Sequence, residues 1–500
     1  MTYKSIVFAA EYRMRSLEIS LLLVNLPILL WGLLARRRKP VWLGVFSWLG
    51  LILLIFHLQL EGYRWQMMPA YFATGCLCLA NLISFFRRDS LSPPHRALTK
   101  LGNLFGLGLL GIAGMLSILL PVFQFPAPTG PCRVGTTVLH LVDNSRAETF
   151  SKNPKDHREL MVQIWYPAEP AADAKPQYYL SNLAGAKSPN LNQQVMGFRF
   201  SHLDQVQTHS YPDAPLSQSK QKYPILVFSP AWSGSRIQNT FQMEELASHG
   251  FVVAGIDHTY CTGVTVFPDG RVLYSDPSLD LDFSTDEAVQ KYIHTAAEQA
   301  RVRAEDARFV LDQLEQLNVT DPRGVFTGRL DVTRVGILGH SFGGTVAAEA
   351  CWLDKRFKAG LNMDGMLFGD AVESGVAQPF MFMNSDDLPP TPAEMARSSS
   401  AKLDARSFRV QDEYLARNGG YDLTFDNTKH ANFTDTALFS PFRRFTGSGS
   451  INARRCQRIV NDYCLAFFES ELNGTISPLL NGPAAAYPEV QFKKHSNQRP

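Results

Sequence analysis

Residues Gly339-His340-Ser341-Phe342-Gly343, in the second half of the chain, match the pattern Gly-x-Ser-x-Gly. In proteins with this pattern the serine occupies a sharp turn between a strand and a helix, which exposes its hydroxyl as a nucleophile. The turn crowds the backbone, so the flanking positions need residues without a Cβ atom, and Gly339 and Gly343 meet that need. The pattern therefore predicts nucleophilic catalysis by Ser341 on an acyl carbon.

A serine hydroxyl is a weak nucleophile at neutral pH and needs a histidine base, which in turn needs an orienting acid. With this turn, the order along the chain is serine, acid, histidine. Only His430 and His495 follow Ser341. Because His495 falls in the terminal tail, His430 is the predicted base by elimination. His258 precedes the serine and is predicted to be structural or to line the pocket, and His340 is predicted to pack.

The acid has two candidate positions. Asp364 ends the predicted strand after the serine's own strand, whereas Asp386 and Asp387 end the next one, which is the commoner site for the acid. Spacing alone leaves these alternatives open. Asp370 and Asp435 are predicted to be solvated loop residues.

The negative charge that develops on the attacked oxygen needs two backbone N–H donors, an oxyanion hole. The amide of Phe342, directly after the nucleophile, is the first predicted donor. The second is predicted in the loop 229–234, where Trp232 is the candidate and its neighbour Ala231 stays open. No metal-binding motif, Cys/His cluster or phosphate loop is found, so no metal and no cofactor are implied.

The elements that position these residues follow from the apolar pattern. An apolar run at 335–338 predicts the buried strand before Ser341, and the small residues after it predict a helix packed closely against a sheet. Further strands are predicted at 136–142, 160–166, 223–230, 251–257, 357–363, 379–383 and 421–425, with helices at 240–249, 287–317 and 454–472. This alternation predicts an α/β fold with a mostly parallel sheet covered on both faces. With the serine turn, it predicts an α/β-hydrolase.

The first quarter of the chain is different in character, with apolar runs at 19–35, 41–60, 66–86 and 103–123. Each is close to the roughly 20 residues needed to cross a bilayer, so four transmembrane helices are predicted. A cleaved signal peptide is disfavoured, because no small-residue cleavage site follows the first run. No charged residue lies in the middle of a run, which favours an anchor over a transport pathway.

Basic residues between the runs predict the orientation. They cluster between the first and second runs and between the third and fourth, at Arg36, Arg37, Arg38, Lys39, Arg87, Arg88, Arg96 and Lys100. The positive-inside rule therefore places both termini and the globular domain on the extracytoplasmic side. Three N-terminal residues, Lys4, Arg13 and Arg15, argue mildly the other way.

These patterns divide the chain into a membrane domain at 1–125, a Pro/Gly linker at 126–135, a catalytic domain at 136–472 and a loosely ordered tail at 473–500. The net charge of +2 is nearly neutral, so no nucleic-acid partner is implied. The seven cysteines show no metal-ligand spacing and leave the disulfide status, like the oligomeric state, open.

Residues 220–440 resemble the plasma-type platelet-activating-factor acetylhydrolases, the group VII phospholipases A2. The resemblance lies in residues 224–229 with 246–254, in 339–344, in Asp364 with 378–385, and in 430–435. It covers under half the chain and leaves out the four N-terminal runs. It implies that the acid is Asp364 rather than Asp386, and that short or oxidised acyl chains are released from phospholipids without calcium.

One stretch departs from that family. The family's oxyanion loop usually runs His-Gly-x-Gly, whereas this chain has Pro230-Ala231-Trp232-Ser233-Gly234, with a bulky tryptophan in place of a smaller apolar residue.

Taken together, the serine turn, the four apolar runs and the resemblance predict a membrane-anchored serine ester hydrolase acting on lipid esters. The alternatives are a broad carboxylesterase for small or polymeric esters and a non-catalytic hydrolase-fold receptor, against which the complete order of serine, acid and histidine argues.

Overall fold

A computed structural model of the chain describes residues 14–34, 40–86, 93–181 and 198–496. The chain divides into two compact units. The first, here the helical unit, comprises Met1–Gln124, Met196–Val206 and Phe439–Phe445. The second, the sheet unit, comprises Phe125–Val195, Gln207–Leu438 and Thr446–Pro500. Two short segments of the predicted catalytic domain therefore belong to the helical unit, which differs from a division drawn along the chain.

The helical unit contains α1 (Ser16–Leu34), α2 (Val41–Phe56), α3 (Met68–Phe86) and α4 (Pro93–Leu119). Each overlaps a stretch of 19 to 23 residues that is long and apolar enough to cross a membrane. These stretches overlap the four predicted runs. Of the basic residues that predict orientation, Arg36–Lys39, Arg87 and Arg88 lie outside the described residues.

Buried polar side chains join the helix ends on one side of this unit. Glu18, in the first turn of α1, accepts a hydrogen bond from Arg64 at 2.7 Å, and both side chains are buried. Arg64 also donates to the carbonyl of Leu120, just after α4. His57 contacts the Tyr71 hydroxyl at 2.7 Å. A buried charge is costly unless it is paired, so these contacts are what allow Glu18 and Arg64 to lie inside the unit.

The sheet unit is organised by strands. Those described are β1 (Arg133–Ala147), β2 (His157–Ala168), β3 (Ser210–Pro212), β4 (Tyr223–Ser229), β5 (Val252–His258), β6 (Val264–Val266), β7 (Val272–Tyr274), β8 (Leu330–His340), β9 (Phe357–Met363), β10 (Phe380–Ser385), β11 (Gly420–Phe425) and β12 (Val490–His495). The main sheet has the order β12-β11-β10-β9-β8-β4-β5-β2-β1-β3, and β6 and β7 form a separate hairpin. From β11 to β5 the neighbours are parallel, so the predicted mostly parallel sheet is confirmed.

The helices after α4 are α5 (Thr240–Ser248), α6 (Asp286–Val319), α7 (Phe342–Leu353), α8 (Asp370–Ser374), α9 (Pro392–Met395), α10 (Ser399–Asn418), α11 (Arg443–Thr446) and α12 (Ala453–Asn473). The long α6 begins where the Thr285 hydroxyl accepts from the Ala288 amide, an N-cap. Small buried residues on one face of α6, including Ala300, Ala304 and Ala307, allow close packing. The core lies between the strands and α6, α7 and α10, and within it Val227 and Ile337 are fully buried.

The expectation of a loosely ordered tail is wrong for residues 490–495. This segment is the edge strand β12, which pairs antiparallel with β11 and places Phe492 opposite Leu423. The Phe492 ring lies 6.1 Å from that of Tyr421 and 6.5 Å from that of Tyr463. A six-residue strand with one large apolar side chain gives little periodic signal, so the sheet edge rather than the local pattern determines it.

Candidate active site

Ser341 occupies the turn between β8 and α7 in a strained backbone conformation. Its φ of 56° and ψ of −124° are rare for a residue with a side chain. A Cβ atom on Gly339 would lie 2.0 Å from the Gly343 carbonyl oxygen, and one on Gly343 would lie 1.9 Å from the Ser229 carbonyl oxygen. Both glycines are therefore sterically required. The second contact also brings the loop after β4 directly against the serine turn.

The candidate base and acid are in contact. His430 Nδ1 lies 2.7 Å from Asp364 Oδ2, and Asp364 Oδ1 accepts from the Ser385 amide at 2.7 Å. The His430 side chain is 52% exposed and that of Asp364 is 12% exposed. Burial opposes ionisation of Asp364, but the hydrogen bond and charge of His430 outweigh it and keep the pKa of the carboxyl below its usual value.

The competing carboxylates have other partners. Asp386 Oδ2 accepts from the Asn427 amide at 2.6 Å, and Asp387 pairs with the Lys429 ammonium. Of the three aspartates that spacing left open, only Asp364 contacts His430 within the described residues. Parallel strands β9 and β10 end at the same edge of the sheet, which is why spacing could not separate them.

Two further aspartates were expected to be solvated. Asp370 is exposed, as expected, and its carboxylate pairs with Arg301 at 3.1 Å on the surface. Asp435 is buried, so the expectation is wrong for it. Its carboxylate accepts from the amides of Thr240 at 2.9 Å and Phe241 at 3.1 Å, in the first turn of α5. Asp435 therefore caps a helix that is distant in sequence, and burial raises the pKa of its carboxyl.

The amides of the loop after β4 include both candidates for the second oxyanion donor, Ala231 and Trp232. The Ala231 N–H donates to Gln238 Oε1 at 3.1 Å. Within the described residues, neither the Trp232 amide nor the Phe342 amide has an acceptor. The rings of Trp232 and Phe342 meet edge to face, with centroids 4.5 Å apart. These two predicted donors therefore have free N–H groups, whereas the amide of the alternative, Ala231, is already hydrogen-bonded.

Aromatic side chains form a wall beside this amide pair. Trp232 lies 5.6 Å from Tyr292 between ring centroids, and Tyr292 lies 5.5 Å from Phe368. Trp232 is 9% exposed as a residue, and its indole Nε1 donates to the Leu279 carbonyl at 2.9 Å, which fixes the ring. The guanidinium of Arg303 stacks over the rings of Trp232 and Phe342 and donates to the Trp232 carbonyl at 3.0 Å.

A second serine, histidine and aspartate lie together at the ends of β4 and β5 and on α6. Ser229 Oγ is 3.0 Å from His258 Nε2, and His258 Nδ1 is 2.9 Å from Asp306 Oδ2. All three side chains are buried. Burial lowers the pKa of His258 to about 4. Burial opposes ionisation of Asp306, but the Arg158 guanidinium, at 2.7 Å, holds the pKa of this carboxyl well below its usual value. His258 is therefore structural, one of its two predicted roles.

Sequence reasoning missed Arg303 and Asp306, because the charges of α6 look like those of a solvated helix. A signal was present. Residues 296, 300, 304 and 307 are alanines at the spacing of one helix face, and Arg303 falls on that face. A charged residue within a stripe of small apolar residues must have a buried partner, which the sequence alone does not identify.

The parallel sheet, the serine at a strained turn and the adjoining histidine and aspartate define the chain as an α/β-hydrolase, a serine ester hydrolase. Comparisons with known proteins agree. The family described as platelet-activating factor acetylhydrolase, isoform II, matches residues 119–476. The chain belongs to this family. The matched region begins at the end of α4, so nearly all of the four apolar helices precede it.

Individual relatives are similar over most of their length. A probable 1-alkyl-2-acetylglycerophosphocholine esterase of Arthroderma benhamiae is 27% identical over 418 residues, which cover 74% of this chain and 94% of that protein. The platelet-activating factor acetylhydrolase of Cavia porcellus is 29% identical over 369 residues, covering 69% and 78%. The solved ferulic acid esterase of Streptomyces cinnamoneus is 30% identical with a TM-score of 0.59, covering 74% of this chain and 99% of that one.

Proposed function

We propose that Ser341, His430 and Asp364 hydrolyse an ester through an acyl-enzyme. His430 Nε2 takes the proton of Ser341 Oγ as this oxygen attacks the carbonyl carbon, and Asp364 orients the imidazole. The amides of Phe342 and Trp232 stabilise the oxyanion. The tetrahedral intermediate expels the alcohol, which takes its proton from His430. Water, deprotonated by His430, then attacks the acyl-enzyme, and Ser341 Oγ takes this proton back from His430 as the acid is released. The 2.7 Å contact between His430 and Asp364, beside the strained serine turn, carries the proposal.

The proposed substrate is a phospholipid with a short or oxidised acyl chain. Relatives named as acetylhydrolases and as an alkylacetylglycerophosphocholine esterase support this class. The site supports it too, because the fixed Trp232 and Phe342 rings fill the space beside the oxyanion donors. A short acyl group needs little of that space, whereas a long unmodified chain needs a channel past these rings.

We also propose that the protein is an integral, multi-pass membrane protein whose catalytic unit is extracytoplasmic. The four helices support the anchor by their length, and large apolar side chains on their surfaces, such as Leu23, Trp42, Phe72 and Phe105, are exposed. Such a surface is stable in lipid and unfavourable in water. The distribution of basic residues in the sequence supports the orientation.

A membrane-impermeant fluorophosphonate probe tests the nucleophile and the orientation together. We expect intact cells that express the full chain to show labelling of the wild type and none of Ser341→Ala. Labelling that needs cell lysis would contradict the orientation and leave the nucleophile supported. A wild type that does not label after lysis, or a Ser341→Ala protein that still labels, would contradict the proposed chemistry.

A carboxylesterase for small or aromatic esters is the second candidate. It is supported by the aromatic wall, which suits a flat acyl group, and by the similarity to a ferulic acid esterase. Purified full-length protein should be assayed side by side on an acetyl glycerophospholipid, 4-nitrophenyl acetate and methyl ferulate. The phospholipid should give the highest kcat/KM. Turnover of the two soluble esters without the phospholipid would favour the second candidate.

A further inference from the structure

Gln238 and His340 join the loop of Trp232 to the loop of His430. The Ala231 amide donates to Gln238 Oε1 at 3.1 Å, and Gln238 Nε2 lies 2.7 Å from His340 Nδ1. His340 Nε2 lies 3.1 Å from the His430 backbone carbonyl oxygen. Three hydrogen bonds therefore form one continuous chain, here called the Gln238–His340 relay. No step of the proposed reaction uses either side chain.

The direction of every bond in the relay is determined by its two ends. A backbone N–H can only donate, so the Gln238 amide oxygen must face Ala231, and its NH2 group must face His340. His340 Nδ1 then accepts, which leaves the imidazole proton on Nε2. A backbone carbonyl can only accept, so this proton points to His430. The relay is consistent only with a neutral His340, and burial lowers the pKa of His340 to about 3.

The surroundings leave the relay little freedom. A Cβ atom on Gly234 would lie 1.9 Å from Gln238 Oε1, so the loop must turn through a glycine there for the glutamine to fit. The Gln238 carbonyl accepts from the Asp435 amide at 3.0 Å, which holds its backbone. The His340 and His430 rings lie 4.4 Å apart between centroids. This is also the loop in which the chain departs from the family's His-Gly-x-Gly.

We propose that Gln238 and His340 are positioning residues for the ester hydrolysis, an inference that rests on the proposed function. Gln238 occupies the Ala231 amide and so turns the Trp232 amide toward the oxyanion. His340 holds the backbone of His430 at the place where its ring meets Asp364. Neither side chain touches the ester, so breaking the relay misplaces the oxyanion donor and the base without removing them.

The test compares Gln238→Ala, Gln238→Glu, His340→Ala and the double alanine variant with the wild type. Glutamate keeps the size and the acceptor for Ala231 but offers no N–H to a neutral His340. All are full-length proteins assayed on 4-nitrophenyl acetate, with active sites counted by fluorophosphonate labelling to completion. We expect kcat per active site to fall about 10- to 100-fold in each single variant with KM changed by less than about threefold. The kcat of the double variant should fall no further than that of the less active single variant, because both substitutions break the same chain of hydrogen bonds.

Gln163→Ala is the matched control. Gln163 is a buried glutamine that donates to the Thr136 hydroxyl at 3.0 Å, away from the serine turn. We expect it to lower stability while kcat per labelled site stays that of the wild type. Relay variants that behave like this control, or that lose activity multiplicatively in the double variant, would overturn the inference while a labelled, active wild type still supported the proposed function. An unlabelled wild type would contradict the proposed function itself.

Discussion

The sheet unit holds two sets of serine, histidine and aspartate, and they differ in access and in charge compensation rather than in residue type. In the set Ser341, His430 and Asp364 the imidazole meets the carboxylate at 2.7 Å, and in the set Ser229, His258 and Asp306 at 2.9 Å. The His430 side chain is 52% exposed, whereas that of His258 is 1% exposed. A substrate can therefore reach only the first set.

The charges around the two carboxylates make the same distinction. Asp364 has His430 and a backbone amide as partners, so in the proposed reaction its charge is available to the imidazolium of His430. Asp306 is also bound by Arg158 and Arg146, at 2.7 and 2.9 Å. Its charge is already compensated by two guanidinium groups, so it serves to hold the buried core together. The same three residue types are proposed to do chemistry in one place and support structure in the other.

The largest effect should separate the two serines. We expect Ser341→Ala to lower kcat by about 10⁶-fold, because the attacking oxygen is lost. Ser229→Ala removes one buried hydrogen bond and should change kcat by less than about tenfold. Steady-state hydrolysis of 4-nitrophenyl acetate measures both. A severe loss of activity per active site in folded Ser229→Ala would show that the buried set takes part in the reaction.

The second effect should separate the acids at the two strand ends. We expect Asp364→Asn to lower kcat by about 10⁴-fold, since the imidazole loses its orienting charge. Asp386→Asn, whose carboxylate binds the Asn427 amide instead, should stay within about tenfold of the wild type. The same assay measures both variants. The reverse ranking would assign the acid to the end of β10.

The third effect should appear in stability. We expect Asp306→Asn to lower the free energy of unfolding by about 3–5 kcal/mol, because it removes the buried carboxylate that binds Arg158 and His258 and leaves Arg158 with Glu148 alone as a charged partner among the described residues. Asp312→Asn, on the same helix, breaks a half-exposed ion pair with Arg356 and should cost less than about 1 kcal/mol. Denaturant unfolding in detergent, followed by tryptophan fluorescence, compares them. Equal losses of stability would mean that the buried ion pairs of Asp306 stabilise the fold no more than the half-exposed pair of Asp312.

The fourth effect concerns pH. The pKa of His258 falls from 6.5 to about 4 in the folded chain, so the unfolded chain binds the proton more tightly. Stability should therefore be complete above about pH 6.5 and fall by about 3 kcal/mol as pH drops to 4. His340, with a pKa of about 3, adds a loss of the same sign. His258→Asn should flatten this pH dependence relative to the wild type, and an unchanged slope would contradict the assignment to His258.

The smallest effect should come from the aromatic wall around Trp232, which belongs to neither set. Trp232→Leu opens space beside the oxyanion donors while it keeps the backbone amide. We expect the ratio of kcat/KM for 4-nitrophenyl hexanoate to that for 4-nitrophenyl acetate to rise about three- to tenfold. A modest enlargement of an acyl pocket changes substrate preference by about this factor. Tyr292→Phe, which keeps the wall, is the control. A ratio that does not move would place the acyl chain elsewhere.

Much of the fold follows from local patterns. The strand and helix around Ser341, the alternation along the chain and the four apolar runs depend on periodicity, on glycine and on segment length, which neighbouring residues carry. His430 follows from chain order, since only two histidines come after Ser341. Structural features that depend on residues distant in sequence could not be predicted from local patterns. The strand β12 forms because β11 offers it an edge, and Asp435 is buried because α5 needs a cap.

The sequence by itself determined the sheet, the serine turn and the identity of a candidate base, because each is written in residues close together along the chain. The tertiary structure decided which acid contacts His430 and whether the amide of Ala231 or of Trp232 is free. It also decided which groups Arg303, Asp306 and Gln238 bind. These depend on hydrogen bonds between residues that are close in space but distant in sequence. The direction of such a bond exists only once both partners are in place.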